Sequence, residues 1–224
     1  LSSDLALSAF VQRVFGCSPE TARAIASRAS ERRFSARAMV LRQGDTAEEA
    51  WLVVSGRAQA VVYGADGQFV QLLEFGEGEL FGAIAGFEAE PQPADVAAME
   101  DLRVAVFPAT DFLSLIQNHG AVGLAVTRSL LRQLRRTTGR MVERSTLSAA
   151  GRVHAELLRM ASPDPDGRLL IRPVPVLASM AVRINSTRET VSRTISSLER
   201  RGILLRTEAS LEIVAPRRLR DMLV

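Results

Sequence analysis

Apolar residues recur along this chain with two different periods, and the change between them divides it into regions. From Met180 to Arg201, MAVRINSTRETVSRTISSLERR, the spacing is helical. At about 100° per residue, Val191, Ile195 and Leu198 fall on one stripe, with Ile184 just before it. Arg188, Glu189, Ser192, Arg193, Ser196 and Arg200 share the other face. Ile184-Asn185-Ser186 interrupts the pattern, and Asn tolerates the left-handed backbone that a tight turn needs. The stretch predicts two helices, the second beginning at Ser186 or Thr187, with one side that packs and one that is polar and basic.

Between about Ala38 and Pro108 the apolar residues come in short runs instead. These are Met39 to Leu41, Trp51 to Val54, Ala58 to Tyr63, Phe69 to Phe75, Leu80 to Ile84, Val96 to Met99 and Leu102 to Phe107. Gly44-Asp45, Ser55-Gly56, Gly64-Ala65-Asp66-Gly67 and Gly76-Glu77-Gly78 punctuate them, and many short strands at regular spacing predict an antiparallel double sheet, a jelly roll.

Helical spacing appears elsewhere too. Ser18 as N-cap and Pro19 at the first helical position open a short N-terminal helix over SPETARAIASRAS. Pro108 to Asn118 predicts another, stopped near Gly120. Ala121 to about Glu143 then runs helical for roughly 35 Å. In it Leu124, Thr127, Leu131, Leu134, Thr138 and Met141 alternate three and four apart, the seam of a two-helix pair. Ser145 to Ser148 is a candidate hinge before a helix from Ala149 to about Ala161. Leu169 to Ile171 reads as a strand, Ser162 to Gly167 as a turn, and Ile203 to Leu205 with Leu211 to Val214 as a two-stranded wing after Gly202. A short Arg217-Arg218-Leu219-Arg220 segment closes the chain.

Charge sharpens this division. All 28 basic residues are Arg. Residues 1–148 carry 15 of them against 17 acids, net −2, and residues 149–224 carry 13 against 8 acids, net +5. The positive charge therefore sits with the C-terminal helices, where guanidinium groups suit phosphate and guanine contacts. With no run of 18 apolar residues, the chain reads as soluble and without a spanning helix. No secretory signal is visible, and the chain opens on Leu1 rather than Met, so a natural start further upstream is expected. Cys17 is alone, which excludes a disulfide scaffold and favours the cytoplasm.

Arg188-Glu189-Thr190-Val191-Ser192-Arg193, then Leu198-Glu199 and Arg201-Gly202-Ile203-Leu204, resemble the recognition helix and wing of the CRP/FNR family of bacterial transcription regulators. Upstream, Gly44-Asp45, Trp51 to Gly56 and Gly78-Glu79-Leu80-Phe81-Gly82 are similar to the turns of the family's cyclic-nucleotide-binding fold. The resemblance covers nearly the whole chain. It implies an α+β architecture: a cyclic-nucleotide-binding-like β-roll sensor over residues 1–120, a dimerisation helix and hinge over 121–148, and a winged helix-turn-helix over 149–224. It also implies a homodimer on double-stranded DNA, with RNA polymerase as a further partner if the protein activates.

The resemblance assigns base and phosphate contacts to Arg188, Glu189 and Arg193, with Ser192 as a further contact and Thr187 and Ser196 beside them. These residue types suit the task. Arg193 can bond guanine O6 and N7 together, and Glu189 can accept from cytosine N4. For Glu189 a second reading stays open, because Ser186-x-x-Glu189 also fits a capping box. Two such helices about one DNA turn apart predict an inverted-repeat operator, and the resemblance implies half-sites like TGTGA or TTGAT.

Family members that bind cyclic AMP follow the Gly82 position with Glu for the ribose and place an Arg about ten residues on for the phosphate. Here Gly82-Ala83-Ile84 and Gln92-Pro93-Ala94 stand in those places. A buried phosphate needs a cation or several donors, so an effector other than cyclic AMP, or none, is expected. Thr137 and Thr138 fall where the family places hydroxyls near the effector base, but the favoured reading is that they are polar seam positions that set register. Arg128, Arg132, Arg135, Arg136 and Arg140 read as a solvated face from which an anionic effector could recruit a partner. A single cysteine excludes the four-cysteine iron–sulfur cluster of some members, and no cofactor or metal site is expected. His119 and His154 are isolated, with no metal-ligand spacing and no nucleophile beside them, which argues against an enzyme. A ligand-binding regulatory module without DNA function is the alternative, and it leaves residues 149–224 unexplained.

Overall fold

The structure, a computed structural model, describes residues 2–46, 48–63, 69–82 and 90–223. The expected turn at Gly64-Ala65-Asp66-Gly67 and the pocket candidates Ala83 and Ile84 lie outside the described residues. The chain resolves into two compact units, Leu1–Thr137 and Thr138–Val224.

The first unit is a double sheet backed by helices. One sheet has the order β1 (Ser30–Phe34), β8 (Leu102–Pro108), β3 (Glu49–Ser55), β6 (Leu80–Phe81), and the other β2 (Met39–Leu41), β7 (Asp95–Ala98), β4 (Ala58–Tyr63), β5 (Phe69–Phe75). All the pairings are antiparallel. This is the predicted jelly roll. Strand β3 shows why both its faces are apolar: Trp51 and Val53 pack between the sheets with Phe75, Phe81, Val96 and Val104. Ala50, Leu52 and Val54 point the other way and meet the helices.

Those helices are α1 (Ser2–Phe15), α2 (Pro19–Ala26), α3 (Ala109–Asn118) and the first part of α4 (Gly120–Thr146). Ser18 caps α2 as expected, accepting from the Thr21 amide at 3.1 Å. Helix α1 was not expected from the sequence, yet Leu7, Val11 and Phe15 recur every four residues and are buried. Strand β1 is also an addition: SERRF is a polar edge strand whose place is fixed by pairing with β8 rather than by its own pattern.

The second unit holds the end of α4, α5 (Ala149–Met160), α6 (Leu177–Arg183), α7 (Arg188–Arg200), a four-stranded sheet and α8 (Pro216–Asp221). The sheet order is β11 (Leu204–Arg206), β12 (Leu211–Ile213), β10 (Leu169–Ile171), β9 (Ser162–Pro163). Ser162-Pro163, read as turn, is thus a short strand on β10. The candidate hinge is shorter than expected. Ser145 and Thr146 remain helical, their hydroxyls donating to the carbonyls of Met141 and Val142, four residues back in each case. The interruption falls at Leu147, and Ser148 caps α5 through the Gly151 amide.

Candidate nucleic-acid interface

Helix α6 ends in a Schellman motif, a paired closure of its last carbonyls. Asn185 takes a positive φ of 50°, its amide bonds Val182 O at 3.2 Å, and the Ser186 amide bonds Ala181 O at 2.9 Å. The turn is therefore built on the residue that the sequence singled out. The next helix starts one residue after the later of the two expected starts. Thr187 is the N-cap, accepting from the Thr190 amide at 3.2 Å, and Arg188 is the first helical residue. The box read as Ser186-x-x-Glu189 does not form, because the capping hydroxyl belongs to Thr187. Glu189 still engages the helix start. Its own backbone amide, then the Thr187 hydroxyl, then the charges of Arg188 and Arg193 hold its carboxyl below the usual carboxylate range.

The underside of α7 is anchored. Val191, Ile195 and Leu198 are buried among Met180, Ile184, Val153, Leu157, Ile203 and Leu211. Arg188, Glu189, Arg193, Ser196 and Thr187 are exposed and Ser192 is half-buried. Among the described residues neither Arg188 nor Arg193 is held in an ion pair, so both guanidinium groups are available to an outside anion or base edge. At the far end Gly202 takes a φ of 65° and the Ile203 amide bonds Leu198 O at 2.9 Å, ending the helix where the sequence placed its stop. Arg206 of the wing donates to Glu199 at 2.8 Å, tying β11 to α7.

Sequence reasoning missed the residue that holds the turn in place. Arg152 on α5 donates to three carbonyls, those of Ile184 (2.9 Å), Leu147 (3.0 Å) and Asn185 (3.2 Å). Its position among apolar helix residues gave no sign of this. Glu156, one turn further, is buried between Arg159 and Arg183, the latter at 3.6 Å.

In the first unit a cavity of about 350 Å³ opens beside β5, β6 and α4. Gly82, Gln92, Pro93 and Ala94 line it, as expected for the effector pocket. Gly82 has a φ of 74°, and a Cβ there would sit 2.8 Å from the Trp51 ring and 2.9 Å from Glu49 O, so no larger residue fits. Thr137 and Thr138 do not line it and are exposed. Helix α4 offers Val126, Ser129, Leu130 and Gln133 instead, the side of the helix that faces the sheets. Arg136, one of the cations that an effector might have recruited, pairs with the mostly buried Glu79 at 2.6 Å. The seam residues Leu124, Leu131, Leu134 and Met141 are 51, 47, 62 and 69% exposed, and Thr127 and Thr138 are exposed with them.

Residues 31–119 match the cyclic nucleotide-binding domain model and residues 151–222 the Crp-like helix-turn-helix domain model. The chain belongs to the CRP/FNR family. Among relatives of this CRP/FNR protein, a CRP-like cAMP-activated global transcriptional regulator of Mycobacterium tuberculosis is 22% identical over 73% of this chain and 74% of its own. A lysophospholipase nte1 of Aspergillus oryzae is 32% identical over 45% of this chain, which spans only 7% of that enzyme. The fold is shared with a solved CooA mutant from Carboxydothermus hydrogenoformans, at a TM-score of 0.76 and 20% identity, covering 90% of each chain. No helix among the described residues of this CRP/FNR chain is long and apolar enough to cross a membrane.

Proposed function

We propose that this chain is a homodimeric, sequence-specific DNA-binding transcription regulator of the cytoplasm. Its target is a palindromic site with TGTGA- or TTGAT-like half-sites, read through the major groove, and its effector is a small molecule other than cyclic AMP, or none. One observation carries this reading. A helix whose apolar side is buried in a domain core presents Arg188 and Arg193, neither held in an ion pair, beside Glu189 on an exposed face. That face meets the requirement for major-groove entry: rigid support beneath and donors with a bidentate fork above. The net charge of +5 over residues 149–224 supports attraction to the phosphate backbone.

The dimer is supported by the uncovered row Leu124, Leu131, Leu134 and Met141, whose apolar surface a second copy of α4 would cover. An activator of this design would also touch RNA polymerase. Gel-shift titration on inverted-repeat duplexes with TGTGA and TTGAT half-sites tests the reading. Arg193→Ala should lose about 1–3 kcal/mol of discrimination at the matching G·C pair, while affinity for scrambled duplex changes little. Equal discrimination by variant and wild type would refute the assignment of Arg193.

A further inference from the structure

The cavity beside α4 has the size of a small-molecule site and the wrong chemistry for an anion. Its volume, about 350 Å³, lies toward the lower end of such sites. Leu73, Phe75, Phe81, Val96, Val126 and Leu130 supply its apolar walls. Among the described residues that line it none is a cation, and the sequence from Ala83 to Ala89 contains no basic residue. Glu90, an acid, is among the lining residues, and Arg136 on α4 is paired with Glu79. A phosphate taken from water into such a site would forfeit several kcal/mol of hydration with no countercharge to offset it.

Polar capacity is present in another form. Ser129 is only 3% exposed, lines the cavity, and among the described residues its Oγ has no hydrogen-bond partner. Buried hydroxyls are paired as a rule, because an unpaired one gives up its bonds to water with nothing in return. Gln92, 5% exposed, lines the same space. Gln133 does not add to this, since its amide already donates to Leu80 O at 2.9 Å.

We propose that this cavity takes a neutral, largely apolar small molecule bearing one hydrogen-bonding group, which pairs with Ser129 Oγ in a space closed to cyclic nucleotides and other anions. The proposal deepens the effector part of the function given above and rests on that reading only for its regulatory consequence. Apolar walls reward burial of ring or chain carbons, and the orphan hydroxyl rewards a single carbonyl or hydroxyl at one place.

The neutral naphthalene dye prodan, which carries one ketone and shifts its emission to the blue in apolar surroundings, is a suitable probe for the full-length chain. The expected result is saturable blue-shifted binding of one dye per chain, unaffected by millimolar cyclic AMP or inorganic phosphate. Ser129→Phe, which fills the cavity, should weaken binding at least tenfold. Ser129→Ala, which keeps the space and removes the hydroxyl, should weaken it about three- to tenfold. Circular dichroism checks that both variants fold, and Ser129→Ala carries the test if the larger one does not. No saturable shift, undiminished binding in Ser129→Ala, or displacement by cyclic AMP would each overturn the proposal. Operator titration is a separate readout: a chain that binds DNA but not prodan loses this proposal alone, and one that binds prodan but not DNA loses only the DNA reading.

Discussion

Among the described residues, Arg188 and Arg193 on α7 stand exposed and out of any ion pair, whereas Arg136 on α4 is bound to Glu79 and no guanidinium lines the cavity. The two regions use arginine in opposite ways, although both belong to helices with one buried and one open side. In the first, charge is left free where a phosphate or guanine would meet it. In the second, Arg136 is paired with Glu79, and among the described residues lining the cavity the Ser129 hydroxyl is buried without a partner. The difference between the two regions lies in which side chains are already paired.

The contrast can be broken most severely from beneath the recognition helix. Ile195 is 1% exposed, and Ile195→Ala should destabilise the protein by about 2–5 kcal/mol through lost burial and the cavity left behind. Chemical denaturation reads this directly, and a loss below 0.5 kcal/mol would mean that the underside is not a packed anchor.

His154 gives the next effect. Burial first, and the nearby Arg201 charge, push its pKa below the ordinary value of 6.5, against a raising bond to the Met222 backbone. The unfolded chain then binds the proton more readily than the folded one. Stability is full above pH 6.5 and falls as pH drops through the depressed folded value, by at most about 1.4 kcal/mol per pH unit. Melting temperatures between pH 7.5 and 5 should show this slope, and His154→Leu should flatten it; an unchanged slope in the variant would assign the effect elsewhere.

Smaller again is the cap. Thr187→Ala should cost about 1 kcal/mol of stability by freeing the Thr190 amide. An unchanged midpoint would show that water serves as well. Ser129→Ala should be the smallest change, costing no stability and adding at most about 1 kcal/mol, because it removes a buried hydroxyl that has no partner among the described residues. A loss above 1 kcal/mol would place that hydroxyl in the protein's own bonding.

Much of this was legible in the chain because period and turn chemistry agree. The strands Met39–Leu41, Ala58–Tyr63 and Phe69–Phe75 and the turn at Asn185 follow from alternation, glycine spacing and the backbone tolerance of Asn. What escaped was set by partners distant in sequence. Strand β1 is polar and takes its place from β8, and Arg152 acquires its role only when Leu147, Ile184 and Asn185 converge on it. Ser129 and Gln133 are polar residues in a helix read mainly for its seam, so nothing in their spacing separated a cavity wall from a solvated face. The expectation for Thr137 and Thr138 came from family position alone, and the cavity is lined by residues earlier along the same helix. Helix α1 was missed differently, since its spacing of Leu7, Val11 and Phe15 was present in the sequence.

The most direct test of the account is selection of bound duplexes from a randomised DNA library by the wild-type protein. The account predicts enrichment of an inverted repeat whose half-site centres lie about one helical turn apart, with a conserved G·C pair that disappears from the consensus selected by Arg193→Ala. Recovery of no consensus, or of the same consensus by both proteins, would contradict it.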